Sequence, residues 1–449
     1  MDMLGMYPTW YDPTLGSGWV LGVIAVIHVL ASHTSVGAAL VFAWLATVAY
    51  RRKRPELLEY VRRYGVLLLV FSYVLGSITG PGIWYSATVA SPRGISGLIH
   101  SYVWIWATEW VFFVGEVVGI YALVYLVGKI DQKTHLKLTG FFAIASWGTM
   151  LIIVGILSFM MWPGQASWYN EGGTLNGFYG PYTFGQVITR TAFMLMVASV
   201  VGGVVASRIS DEAFRKEMIR KLAVLGSVSA VAMFLGLKWS LTTLPNSAVE
   251  VMAARLPEWF VPSMWAVLGA TVAYFVLTFF APRVLTPWLS VSMAVAVMVF
   301  GIWPEETSRE SMRKPWVAGQ YIYSNQVIGK DVPALGVKSE IPQLEAKGML
   351  ASHPFIPDNL RSVTESNRAE AGRALAMVYC SNCHNLGHTG IRPFGKLLEG
   401  MDEEALTGYI TGALATGAVP HMPHMPMNET EAGALAHYLT QTANQGSAR

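Results

Sequence analysis

Residues 19–50 read WVLGVIAVIHVLASHTSVGAALVFAWLATVAY, without one Asp, Glu, Lys or Arg. About 20 such residues suffice for a helix to cross the hydrocarbon core of a bilayer. Only a structure that satisfies its own backbone polar groups survives there, so the stretch reads as a transmembrane helix. The pattern recurs near 64–90, 98–128, 138–162, 184–207, 221–244, 259–281 and 284–303, which makes eight spans. Composition agrees: 53% of residues are hydrophobic, mean hydropathy is +0.42, and 13% are charged, where a soluble protein carries roughly 25%. The expected fold is all-α, a polytopic membrane helix bundle over residues 1–303 followed by a polar tail. The basic residues sit in short loops without a basic, aromatic-interleaved surface, so nucleic acid is not an expected partner.

Those loops give the expected orientation. Arg51, Arg52, Lys53, Arg54, Arg62 and Arg63 join spans one and two; Lys129, Lys133 and Lys137 join three and four; Arg208, Arg215, Lys216, Arg220 and Lys221 join five and six. The alternate loops are poor in Lys and Arg and rich in Trp, Gly and Pro. Positive residues stay on the cytoplasmic side, which puts the N-terminus and, after eight spans, the tail on the extracytoplasmic side of the cytoplasmic membrane. Met1 to Gly18 lack a basic n-region and a cleavage site, so the first span is expected to direct insertion itself.

The tail contains Cys380-Ser381-Asn382-Cys383-His384, the C-x-x-C-H attachment pattern of c-type haem. Two thiols at this spacing can take the two haem vinyl groups, and the adjacent His384 then lies under the iron. Zinc would need a second Cys/His pair at matching spacing, and the chain has only these two cysteines. Covalent haem attachment is an extracytoplasmic process, in agreement with the loop charges. Residues 304–358 read as a connector on the outer face, and 359–449 as a small helical cytochrome c domain. Its expected helices cover 365–379, 404–414 and 428–438. The domain resembles class I cytochrome c, which implies a sixth ligand from a Met-Pro loop before the last helix. Met422 has the usual spacing; Met425, His421 and His424 are alternatives.

Ionisable groups within hydrocarbon are costly and point to function. Span one carries His28 and His33, span three His100, Glu109 and Glu116, span five Arg190, and span six Lys238. Glu109 and Glu116, seven apart, share a helix face.

These residues resemble subunit I of the cytochrome bd-type quinol oxidases. His28 with Gly37 nine residues later is similar to the family's haem-ligating histidine in the first span. Glu116, Gly128-Lys129 and His135 match its third helix and the loop after it, and Glu109 looks like the acid that lies at a haem of the oxygen-reducing site. Met161-Trp162-Pro163-Gly164 is similar to the family's Trp- and Pro-containing helix end. Glu310-Ser311-Met312-Arg313-Lys314-Pro315-Trp316 stands where the family has Glu-x-Gly-Arg-x-Pro-Trp. The resemblance, over residues 1–325, implies one or two membrane haems of b or related type. His28, Glu109 and Glu310 would hold the haem iron, and Arg313 would pair haem propionates. It also implies a multi-helix partner similar to subunit II.

The departures are as specific. Span five has no histidine where the family ligates its low-spin haem; Thr189 or Arg190 stands near that position, and Met264 is the candidate for its methionine partner. The long quinol-binding loop is reduced to residues 244–258, and a ninth helix is replaced by the tail. The expected function is therefore a membrane respiratory haem protein whose haem c exchanges electrons with membrane haem, as a bd-like terminal oxidase subunit fed by an extracytoplasmic donor such as a cytochrome c. Glu116 and Lys238 would help supply protons. The alternative is an electron-transfer subunit exchanging electrons with quinone, without oxygen reduction; a third reading is a bare membrane anchor for the cytochrome.

Overall fold

The computed structural model describes residues 4–445; the ends of the expected first and last domains, 1–3 and 446–449, lie outside the described residues. It is an all-α polytopic bundle. Among the described residues eight helices are long and apolar enough to cross a membrane: Ser17–Arg52, Glu56–Ala90, Pro92–Leu126, Gln132–Met161, Pro181–Ala206, Glu212–Thr242, Phe260–Phe280 and Pro287–Arg313. Among the described residues the only sheet is a two-stranded ribbon, Trp316–Ala318 with Ile322–Tyr323.

Span five is the most enclosed helix, packed against spans one, four and six. Lipid tails are as apolar as leucine, so helices in a bilayer associate through close packing, and small residues at the seam permit it. Gly37 of span one lies against the Met194 carbonyl and Ala198 of span five, and Gly226 of span six lies beneath the Phe275 ring of span seven. A Cβ at either would overlap its neighbour. Aromatic residues such as Trp104, Trp110, Phe280 and Trp288 remain exposed on the outside of the bundle. At one end, Arg54 pairs with Glu217 of span six at 2.6 Å and tethers the basic loop between spans one and two.

Among the described residues three spans depart from regular geometry. Spans two and eight contain π-helical segments, Leu69–Val74 and Met298–Ile302, and span three is kinked at Tyr102. Span eight differs from the expected end near residue 303: the helix continues through the polar run Trp303–Arg313. The reason is tertiary. Glu305 and Glu306 reach Arg190 of span five, and Arg309 pairs with Glu306 one turn back, so these charges are neutralised inside the bundle.

The chain after span eight is tied to the start of span three. The buried Arg93 guanidinium, at the start of span three, holds Glu340 with two bonds of 2.7 and 2.8 Å and donates to the Leu4 and Gln326 carbonyls. Beyond it, Arg368–Tyr379 crosses Glu429–Gln445, with Gly372 admitting the Ala434 carbonyl closely. Glu403–Tyr409 and a π-helical turn Ile410–Leu414 complete this part. Its core is formed by Leu375, Ala376, Leu406, Ile410, Leu435 and Leu439, among others. These helices fall close to the three expected from sequence.

Replacing Gly37 by Val should lower the thermal midpoint of the detergent-solubilised protein, since overpacking costs about 1–3 kcal/mol. Gly22→Ala, where a Cβ meets nothing within 4 Å, should leave it unchanged; equal midpoints for wild type and Gly37→Val would contradict this packing.

Candidate functional site

Cys380 ends the helix Arg368–Tyr379, and the Cys383 and His384 N–H groups both donate to its carbonyl at 3.0 Å. Both thiols are free, Cys380 buried and Cys383 half-buried. The turn therefore presents both sulfurs and the imidazole together. His384 Nδ1 is 3.0 Å from the Arg392 carbonyl, and the ring stacks on Phe394 at 4.7 Å. With Nδ1 as donor, Nε2 is left as the lone-pair nitrogen, the tautomer that a ligating histidine needs. Burial pushes the imidazole down to about 4, reinforced by the nearby Arg255, Lys314 and His421, so it is neutral. Burial likewise pushes the Cys380 thiol up to about 12. The residues fit a covalently attached haem: two free thiols, an oriented neutral imidazole, and methionines on the facing loop.

On that loop Met422 is half-buried against the C-terminal core and Met425 is fully buried. His424 Nε2 is taken by the Ala415 carbonyl at 2.8 Å, which removes it from the free donors. The loop is anchored from below, because Arg255, between spans six and seven, donates from Nη1 to the His421 carbonyl at 3.1 Å.

The segment before span one straps the other side of the turn. Tyr11 OH accepts from Leu386 N–H at 2.9 Å, Asn385 Nδ2 donates to the Pro13 carbonyl at 3.0 Å, and Ile391 N–H donates to the Leu15 carbonyl at 2.8 Å. The start of span one and the chain after span eight thus lie on one face of the bundle.

Lys314 follows the last residue of span eight. Its Nζ is 3.3 Å from Glu310 Oε1, 3.0 Å from Ser324 Oγ and 3.8 Å from Cys383 Sγ. Glu310 also pairs with Arg313, whose Nη1 donates to the Val317 carbonyl at 2.9 Å. The Glu-to-Trp motif at 310–316 and the Cys-x-x-Cys-His turn, about seventy residues apart in sequence, are therefore in contact.

Within the bundle, His28 Nδ1 is 3.0 Å from Thr79 Oγ1 of span two, and Gly80 leaves room beside the ring where a Cβ would come within 3.3 Å of it. A histidine oriented through one nitrogen, beside a glycine, fits a ligand for membrane haem. Glu116 is buried and accepts from Ser35 Oγ and Tyr73 OH, both at 2.8 Å. Tyr73 sits in the π-helical segment, an irregularity frequent at functional sites. Glu109 lies two turns before Glu116 and is half-buried. His135 is buried in the first turn of span four, and its Nε2 has no hydrogen-bond partner among the described residues.

Other expected residues stand apart. Lys238 is exposed and lies over the Phe234 ring at 5.0 Å. The helix register explains this: Gly236 and Ser240 face span five, which turns residue 238 outward, away from Glu116. His100 is exposed and bound to the Ser96 carbonyl at 2.8 Å. Met264 is half-buried near the start of span seven. Arg190, by contrast, is the centre of a buried network. Its Nη2 donates to Glu305 at 2.8 Å and Glu306 at 3.0 Å, and its Nη1 lies 3.4 Å from His33 Nε2.

Sequence reasoning missed Arg255, Lys314, Glu305, Glu306 and Arg309. The only available signal was the pairing distance of Glu306 and Arg309 along a helix; read alone, 303–313 has the composition of a soluble connector.

No family model matches the sequence, and no curated protein matches it. Among solved structures, the bd oxidase from Geobacillus thermodenitrificans is similar with a TM-score of 0.58. The match covers 68% of this chain and 88% of that one, at 16% identity. At that identity the likeness shows the fold: this chain is a multi-pass membrane protein with a helix bundle of the bd-oxidase kind.

Removing one partner from a buried ion pair costs about 3–5 kcal/mol. Arg190→Leu should therefore sharply reduce the yield and thermal midpoint of folded protein, with Arg190→Lys falling between. A midpoint for Arg190→Leu within a degree of wild type would show that the network carries no stability.

Proposed function

We propose that the chain is the membrane haem subunit of a respiratory oxidoreductase. In this reading residues 359–449 form a cytochrome c domain on the extracytoplasmic side, held over the bundle by the 304–358 segment. Cys380 and Cys383 would bind one haem covalently, His384 would ligate its iron, and Met422 would be the sixth ligand, with Met425 behind it. His28 and Glu310 would hold membrane haem of b or related type, Glu109 would stand beside it, and Arg313 would meet propionates. When bound, haem supplies one-electron transfer at a potential set by its ligands, burial and hydrogen bonds.

The observation that carries the reading is Lys314, which touches both Cys383 of the covalent site and Glu310 of the membrane site. Electron transfer needs neighbouring cofactors, and this contact makes the two candidate sites neighbours. Two further features agree. Span five carries Arg190, not a histidine, inside a closed charge network, and the segment joining spans six and seven is short. Both favour electron input through the covalent haem from an outer-face donor such as a cytochrome c, over quinol oxidation within the bundle. The acceptor would be oxygen, as in a bd-like terminal oxidase. Glu116, buried among hydroxyls, with Glu109 on the same helix, would carry protons. The exposed aromatic faces of spans three, seven and eight suit a multi-helix membrane partner.

One observation favours a second reading, an electron-transfer subunit that exchanges electrons with quinone and does not reduce oxygen. Glu310 is already engaged by Arg313 and Lys314, and a carboxylate so held is less available to iron.

A haem inventory separates the two. Pyridine haemochrome spectra of the purified protein should show one haem c plus non-covalent haem, and the reduced form should bind carbon monoxide. Cys383→Ser should abolish the doubly linked c-type spectrum, and His28→Ala should remove membrane haem while leaving haem c. A membrane haem inert to carbon monoxide would eliminate oxygen reduction and leave the second reading; absence of c-type haem would overturn both.

A further inference from the structure

Haem c is attached through its two vinyl carbons, and these lie on the edge of the porphyrin opposite the propionates. Side chains around the cysteine sulfurs therefore mark the thioether edge. In this chain two of them are cations, and neither comes from the C-terminal helices. Lys314, at the head of span eight, places Nζ 3.8 Å from Cys383 Sγ and is held there by Ser324 and Glu310. Arg255 arrives from the segment joining spans six and seven. Its Nη1 grips the His421 carbonyl, next to Met422, while its Nε is buried with no hydrogen-bond partner among the described residues. Its guanidinium is close enough to act electrostatically on His384 and Cys383. A fixed positive charge at a redox group favours the form carrying the extra electron, and the effect is strong where water is excluded.

We propose that Lys314 and Arg255 are positioning and tuning residues of the membrane part: they hold the thioether edge of the Cys380–His384 haem against the head of span eight and raise its affinity for an electron. The inference rests on the haem c reading of the preceding section. It assigns the bundle a role in setting the potential of the covalent haem, and it makes the thioether edge the side facing the membrane site. The Glu310 carboxylate is in direct contact with Lys314 and Arg313 and acts on Arg255 only electrostatically, with no ion pair between them among the described residues, so it offsets the charge of Lys314 more. The larger effect is therefore expected from Arg255.

The test is a potentiometric titration of the c-type α-band in the full-length protein, comparing wild type with Lys314→Met, Arg255→Gln, Lys314→Arg and Arg255→Lys. At a fixed ambient potential the reduced-to-oxidised ratio of haem c should fall about tenfold in Arg255→Gln, a shift of about 59 mV for one electron. It should fall severalfold in Lys314→Met, and stay near wild type in the two charge-preserving variants. Loss of c-type haem from both neutral variants, with retention in both charged ones, would also support the proposal. An intact α-band with an unmoved ratio in both neutral variants overturns it and leaves the haem c reading standing. A wild-type protein without a c-type band removes that reading itself, so the two failures are distinct.

Discussion

Charge burial between spans five and eight is the constraint on which the rest of the structure depends. A lone arginine or carboxylate in a bilayer is expensive, yet Arg190, Glu305, Glu306 and Arg309 lie together in the packed core between spans five and eight. They offset one another: two guanidiniums face two carboxylates. Because they do, span eight remains helical past its apolar stretch and ends at Arg313. Had the helix stopped near residue 303, Glu310, Arg313 and Lys314 would have belonged to a mobile polar linker. The network instead delivers them as an ordered platform.

On that platform the C-terminal helices rest at one place. Lys314 and Arg255 meet the Cys-x-x-Cys-His turn and its facing loop from the membrane side, and residues 11–15 strap it from the other. The turn is thus held by elements from the beginning, middle and end of the chain. Such a site is preorganised: its imidazole is oriented by Arg392 and Phe394, and its distance from span eight is fixed by side chains on helices. Precision of this kind suits the electron transfer proposed for the site, whose rate falls steeply with separation.

Much of this was legible in the amino-acid order. The eight spans follow from hydropathy alone, since a long run such as 19–50 has no soluble alternative. The Cys380–His384 spacing puts two thiols and an imidazole on one turn, and the final helix was readable from the Asn428 cap, whose Oδ1 accepts from Glu431 N–H, and from the acids that follow it. Glu116 was legible as a buried acid because an ionisable group in an apolar helix has to be accommodated, and the hydroxyls of Ser35 and Tyr73 accommodate it. Lys238 carried the same sequence signal and turns outward, because Gly236 and Ser240 are the residues that face span five. An intramembrane charge in sequence marks a cost, while the helix register decides whether that cost is met inside the bundle or at its surface.

The sequence by itself determined the class of the protein: an all-α polytopic membrane chain with a helical C-terminal part and a C-x-x-C-H turn. These depend on properties local to each segment, namely apolar length, charge bias and residue spacing. Only the tertiary structure decided which charges pair, where span eight ends, and that Glu310, Lys314 and Cys383 touch. Those facts depend on partners about seventy to more than a hundred residues away, and no local propensity encodes a carboxylate's choice of a guanidinium on another helix.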